Sequence, residues 1–269
     1  MKKGIKHFFE FWDINKSHVG RKFIDLFLDY DGTLTPIVET PEKAVLNPET
    51  RAVLEDLSNL PDVQLTIVSG RALNDLKTRV GVKNVVYVGN HGLEIEGKDI
   101  EFTGLIAPRV RSILGIIRSE LPSQLSSLPG VFLEDKALTL SIHYRLVDEK
   151  STPAIEKILD RVCSGYLQQK LIKMVSGKKV FEIRPAIEWD KGKAVSWLLQ
   201  RNKNSGLAFY FGDDVTDEDA FKALNDRGVT VLVGQGKQSS AQYYVEDDRE
   251  VRGFLKEIVK LKNKEMRGE

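Results

Sequence analysis

The chain has 269 residues, 41% of them hydrophobic, enough to bury a core in one large or two moderate domains and too apolar for a disordered polyelectrolyte. Lysine and arginine number 40 against 39 acids, a formal charge of +1, so no whole-molecule field favours nucleic acid. Cys163 is the single cysteine, which excludes an internal disulfide and any multi-cysteine metal site and suits a reducing compartment.

At the N-terminus, basic and aromatic residues are interrupted by Glu10 and Asp13 before an apolar stretch of signal length accumulates, and no later run is long enough to span a bilayer. A cytoplasmic protein without a membrane partner is expected, with residues 1–22 as an N-terminal extension, a short helix or adaptor of unassigned use. Residues 23–28 read as a strand, with Asp25 inside it where an apolar residue is expected; a local partner or an exposed edge would accommodate it. Asn47 before Pro48 starts a helix with Val53, Leu54 and Leu57 on one face. Residues 63–68 and 85–88 are further strands, and between them Leu73, Leu76 and Val80 make a helical face ended by Gly81. Strand and helix in alternation imply an α/β domain with a mainly parallel sheet, because parallel neighbours need a crossover.

From about residue 108 to 184 the pattern changes. A helical stretch, two strand-like runs within 131–144, a second helical stretch over 151–163 and strand-like runs over 171–183 describe an α+β module inserted into the first domain. The expected division is a core of 1–107 and 185–269 with a cap of 108–184. The cap holds 13 basic and 8 acidic residues, net +5, which leaves the core net −4. A basic insert facing an acidic core suits an anionic small molecule held against a cation. Residues 207–211 and 229–233 return to strand composition.

Chemistry concentrates where strands end. Asp29-Tyr30-Asp31-Gly32-Thr33-Leu34-Thr35 follows the first strand, Ser69-Gly70-Arg71 follows the second, and Gly212-Asp213-Asp214 follows residues 207–211. In an open parallel sheet the ligand crevice lies outside the carboxyl ends of the strands. Carboxylates gathered at such an edge repel and are costly without a compensating cation. A hard cation with oxygen ligands, Mg²⁺, is the economical solution.

These residues resemble the haloacid dehalogenase superfamily of phosphohydrolases. The match consists of Asp29 and Asp31, Ser69, Lys191 in Asp190-Lys191-Gly192-Lys193-Ala194, and Gly212-Asp213-Asp214-Val215-Thr216-Asp217-Glu218. Gly89-Asn90-His91-Gly92-Leu93-Glu94, Glu182-Ile183-Arg184-Pro185 and the Thr-Asp-Glu continuation narrow the resemblance to the trehalose-6-phosphate phosphatases, over residues 22 to 260. The resemblance implies a Rossmann-like parallel-sheet core with an inserted α+β cap. It implies Asp29 as nucleophile, forming an aspartyl phosphate, and Asp31 as acid and base. Ser69 and Lys191 would hold the phosphoryl oxygens, with Lys193 as the neighbouring alternative. The ion would be bound by the carboxylates of Asp29 and Asp213 and the backbone carbonyl of Asp31, supported by Asp214 and Asp217. In the read of residues alone, Asp217 is a charge in the first turn of a helix from 217 to 225 capped by Thr216.

For the sugar, the resemblance points to Lys136, Arg145, Lys178 and Glu182 in the cap, with Asn90 at the rim of the crevice. Lys179 is the alternative to Lys178, since strand neighbours face opposite ways. His91, a histidine beside glycine in a loop, is assigned no base role. Two other functions compete: a phosphatase of sucrose 6-phosphate or a sugar-linked phosphoglycerate, and a regulatory module with a phosphorylated aspartate.

Overall fold

The computed structural model describes residues 5–177, 179–202, 204, 206–234 and 238–267. In chain order the first unit begins with β1 (Lys6–His7), α1 (Phe8–Gly20), β2 (Ile24–Asp29), α2 (Pro48–Ser58), β3 (Val63–Val68), α3 (Leu73–Val80), β4 (Val86–Gly89), β5 (Glu94–Gly97) and β6 (Ile100–Thr103). The second unit, Gly104–Glu188, carries α4 (Pro108–Leu125), β7 (Phe132–Asp135), β8 (Leu140–His143), α5 (Thr152–Gln168), β9 (Ile172–Gly177) and β10 (Val180–Pro185). The chain then returns to the first unit from Trp189 with α6 (Lys191–Arg201), β11 (Leu207–Gly212), α7 (Glu218–Leu224), β12 (Gly228–Val233), β13 (Tyr243–Val245) and α8 (Asp248–Arg267).

The first unit is built on a nine-stranded sheet of order β1-β13-β12-β11-β2-β3-β4-β5-β6. Pairing is parallel from β1 to β4, and the β5–β6 hairpin extends that edge antiparallel. The chain leaves β2 for β3 on one side and comes back as β11 on the other. The order therefore reverses at β2, and the carboxyl ends of β2, β3 and β11 border a topological switch point.

Strand periodicity sorts the residues into two layers. Leu26, Leu28, Phe209 and Phe211 pack with Leu54 and Leu57 of α2, Leu76 of α3 and Phe254 and Ile258 of α8. Phe27, Ala208 and Tyr210 face the other way, against Ala194 and Val195 of α6 and Ala220 and Phe221 of α7. Local signals agree with the ends of these helices. Asn47 accepts a hydrogen bond from Glu49 N at the start of α2, and Gly81 closes α3 in the left-handed region at φ +65°.

Residues 5–20 are part of this core, and of the two expectations for this segment the structure has the short helix, α1. Phe8 and Trp12 are fully buried, one helical turn apart on α1. Their rings meet Phe254 at 4.9 and 4.8 Å, and the Trp12 indole donates to Glu257 at 3.3 Å. Burial of each such aromatic is worth about 2 to 3 kcal/mol, so α1 is held by the hydrophobic effect and not by its own propensity.

The second unit is a four-stranded antiparallel sheet, β7-β8-β10-β9, with α4 packed on α5 and α5 on β9. Leu140, Ile142, Phe181 and Ile183 are buried at alternate positions. The residues between them on the strands are polar.

Candidate active site

The site follows from period two on β2. Asp25, Phe27 and Asp29 share one face, which is the face covered by α6. Asp190 caps α6, its carboxylate accepting from Lys193 N at 2.8 Å, so Lys191 is the first helical residue. The Lys191 ammonium is buried and donates to Asp29 Oδ1 and to Asp217 Oδ1, each at 2.7 Å. Lys193, the alternative, is exposed. At the far end of the same helix, Asn202 donates to Asp25 at 2.6 Å, which is the local partner Asp25 requires.

Asp217 is fully buried and organises the acidic loop. Oδ1 accepts from Lys191 and from the Tyr210 hydroxyl at 2.7 Å, and Oδ2 accepts from the backbone N–H of Asp213 at 3.1 Å and of Asp214 at 3.0 Å. A carboxylate offers about four acceptor positions, and all of them are used. Gly212 makes room, since a Cβ there would lie 2.4 Å from Asp217 Cγ. The expected cap at Thr216 is corrected: Val215–Asp217 form a tight 3₁₀ turn with Asp214 at its cap position, and α7 starts only at Glu218.

One carboxylate oxygen from each of Asp29, Asp213 and Asp217 lies within 4.8 Å of the others, in a buried cluster. Burial pushes the Asp29 carboxyl well above its usual range; Lys191 pulls it down, and Asp217 and Asp213 push it up again. Burial opposes the charge of Lys191, yet Asp217 and Asp29 together raise its pKa, so it stays an ammonium. Three buried carboxylates facing one ammonium leave the cluster short of positive charge, and a divalent cation fits that deficit. Asp217 has its acceptor positions filled, so Asp29 and Asp213 are the carboxylates of this cluster that could hold such an ion.

Asp31 is placed differently. Its two oxygens are gripped by the Arg71 fork, Nε to Oδ2 at 2.8 Å and Nη2 to Oδ1 at 2.6 Å. Arg71 also donates to Asp75 at 2.9 Å and to the Pro41 carbonyl at 2.8 Å, and it lies 5.3 Å over the Tyr30 ring. The fork takes one acceptor position on each Asp31 oxygen and leaves the others open. The sequence reading missed Arg71; the available signal was an arginine directly after Ser69-Gly70, four residues before Asp75. Gly32, at φ +87°, lets the loop turn and Asp213 approach, since a Cβ there would lie 2.4 Å from Asp213 Oδ2.

Ser69 is buried, and its hydroxyl accepts from Arg71 N at 3.1 Å, which leaves the hydroxyl hydrogen to be donated. Next to it Asn90, His91 and Gly92 are successive left-handed residues at φ +47°, +57° and +102°. Asn90 N bonds Arg71 O at 2.7 Å and His91 N bonds Ser69 O at 3.0 Å, so this strained turn is tied to the Ser69 loop. The Asn90 amide donates to Glu94 at 2.5 Å. His91 packs on Gly70, where a Cβ would lie 2.2 Å from the ring.

In the second unit, one face of the sheet is a polar network. Glu182 Oε1 accepts from Lys136 at 3.1 Å and from Ser141 at 3.0 Å, and its other oxygen meets Arg184. Glu134 lies across from Ser141, accompanied by His143 at 2.9 Å and Lys136 at 3.8 Å. Lys136 and Glu182 are therefore brought together, and Arg145 is half-buried in the loop after β8. Lys178 lies outside the described residues. Lys179 pairs with the exposed Glu149 at 2.9 Å. Glu134, His143 and Arg184 were missed, although the alternation 134, 141/143, 182/184 placed them on this face.

The trehalose-phosphatase family model matches residues 27–249. Trehalose-phosphate phosphatase B of Arabidopsis thaliana is 38% identical over 260 residues, covering 90% of this chain and 68% of the relative. The C-terminal domain of C. albicans trehalose-6-phosphate phosphatase superposes with a TM-score of 0.81 at 26% identity, covering 97% of this chain and 99% of that one. A haloacid dehalogenase-like hydrolase from Bacteroides thetaiotaomicron shares the fold, with a TM-score of 0.63 at 16% identity over 88% of this chain and all of its own.

Proposed function

The chain belongs to the trehalose-phosphatase family and hydrolyses trehalose 6-phosphate, and from that premise we propose that it does so with Mg²⁺ through an aspartyl phosphate on Asp29. The observation that carries the reading is the Lys191 bridge between Asp29 and Asp217, with Asp213 in the same cluster at the switch point of the sheet.

In the first half-reaction, an Asp29 oxygen attacks phosphorus as the bond to the sugar oxygen breaks. Asp31 gives that oxygen its proton. In the second, water attacks the phosphorus of the aspartyl phosphate, Asp31 takes the proton from water, and Asp29 and inorganic phosphate are regenerated. One difficult displacement thus becomes two easier ones. Ser69 and Lys191 hold the phosphoryl oxygens, where transition-state charge is spread and must be met by fixed donors. Asp29 and Asp213, with the Asp31 carbonyl, would hold the Mg²⁺, which supplies further positive charge at those oxygens. Asp217 fixes Lys191, and Asp214 supports the loop through its backbone N–H.

For the sugar, the polar face of the cap sheet offers Lys136 and Glu182, joined by Glu134 and His143; Arg145, Lys178 and Asn90 are further contacts that the family resemblance implies. Charged groups make stronger hydrogen bonds to hydroxyls than neutral ones do. Among the described residues no helix is long and apolar enough to cross a membrane, and the single cysteine fits a cytoplasmic location. Phosphate release from trehalose 6-phosphate, with and without chelator and beside sucrose 6-phosphate and glucosyl phosphoglycerate, tests the reading. Turnover that survives complete removal of divalent ions would overturn the metal assignment.

A further inference from the structure

Tyr210 lies on the central strand β11, fully buried, with its ring stacked along Phe27 at 6.5 Å and edge-on to Phe221 at 5.7 Å. A buried hydroxyl needs a partner, and this one reaches across to Asp217 Oδ1 at 2.7 Å. Burial and the nearby charges of Asp217, Asp29 and Asp213 push its pKa well up, so the phenol remains a hydrogen-bond donor. A phenylalanine would fill the same apolar slot between Phe27 and Phe221. The hydroxyl therefore serves Asp217 and not the core.

That service is specific. Asp217 Oδ1 has two acceptor positions, one taken by Lys191 and one by Tyr210; Oδ2 is fully occupied by backbone N–H groups. Without the phenol, one position on Oδ1 opens inside a cluster of buried carboxylates. Two responses are available. Lys191 turns further toward Asp217 and away from Asp29, or Asp217 shares a cation with Asp29 and Asp213. The first takes the ammonium off Asp29, and the second adds a third carboxylate to the cation.

We propose that Tyr210 is a positioning residue which, by saturating Asp217, holds Lys191 on Asp29 and keeps Asp217 out of the metal's coordination. The inference rests on the assignment of Asp29 and Lys191 made above. Loss of a single hydrogen bond that orients a ligand or a catalytic group lowers activity or metal affinity by about 10- to 100-fold.

The test is Tyr210→Phe in the full-length protein, assayed with trehalose 6-phosphate and Mg²⁺ beside Asp29→Asn, Asp217→Asn and the Tyr210→Phe/Asp217→Asn double variant. The expected result is a fall in kcat of about tenfold or more with KM within about twofold, since the sugar contacts are elsewhere. The thermal midpoint should stay near that of the parent. The loss should vanish in the Asp217→Asn background, because the hydroxyl acts through that carboxylate. Mn²⁺ binding without substrate, followed by electron paramagnetic resonance, should also change in Tyr210→Phe, a readout independent of turnover. Parental kcat and Mn²⁺ binding in Tyr210→Phe, a full loss persisting in the Asp217→Asn background, or activity falling only with the folded fraction would each overturn the proposal. Turnover retained by Asp29→Asn would instead overturn the site assignment beneath it.

Discussion

Asp25 and Asp29 stand on the same strand, on the same face, under opposite ends of the same helix. The start of α6 gives Asp29 a lysine, and its end gives Asp25 an asparagine. Burial raises both carboxyls. At Asp25 the Asn202 amide offsets this only partly, and the group is pushed up to about 6. At Asp29 the opposing influences are whole charges, Lys191 on one side and Asp217 and Asp213 on the other. A neutral donor makes a buried acid tolerable; a cation set among further acids makes a place where charge must be managed throughout a reaction. The two ends of one helix thus separate a cost to stability from an investment in chemistry.

The comparison is broken most severely at the Asp29 end. Asp29→Asn should lower kcat by more than about 10⁴-fold while circular dichroism stays parental, because an amide there offers no carboxylate oxygen to accept the phosphoryl. Residual hydrolysis near the parental rate would show that the two aspartates differ less than their partners suggest. Lys191→Met removes the charge and keeps the volume, and kcat should fall by about 10²- to 10³-fold. That variant also leaves Asp29 and Asp217 without their shared cation, so its thermal midpoint should drop as well. Arg71→Lys keeps the charge but loses the fork on Asp31, and about a tenfold loss in kcat at unchanged KM is expected from steady-state kinetics.

The smallest effect sharpens the other side. Asp25→Asn should leave kcat unchanged and stabilise the protein above neutrality by about 2 kcal/mol, allowing for partial screening. The sign follows from the raised pKa: the protonated acid is the form the fold prefers. The contribution of Asp25 is therefore fully present below its unfolded value near 4 and is lost as pH rises through about 6. Melting curves of parent and variant should coincide near pH 4 and separate between pH 4 and 7. A difference that does not change with pH would refute the assignment.

The clustering of Asp29 and Asp213 was legible because each sits in a short motif at the end of an apolar run, where strand and turn chemistry are local. The alternation of strands and helices likewise fixed an α/β core before any contact was known. Residues that act through others were not legible. Arg71 and Tyr210 look like ordinary members of a loop and a strand, and their bonds to Asp31 and Asp217 exist only once β3 lies beside β2 and β11 beside the acidic loop. Residues 8–12 hid for a related reason. Phe8, Phe9, Phe11 and Trp12 cover much of a helix's circumference, and packing against α8, β11 and β13 selects the side that is buried. In the cap, the alternation revealed a polar face, but the pairing of Lys136 with Glu182 spans 46 residues and depends on strand register.

The seam between α1 and α8 ties the order of synthesis to the completion of the fold. Phe8 and Trp12 leave the ribosome early, whereas Phe254, Glu257 and the parallel partner of β1 emerge more than 200 residues later. At typical translation speeds the early aromatics wait for roughly 10 to 50 seconds without their native cover. The α1 segment thus cannot complete its burial until α8 is made, and during that interval the nascent chain exposes apolar rings that chaperones or a neighbouring polypeptide can seize.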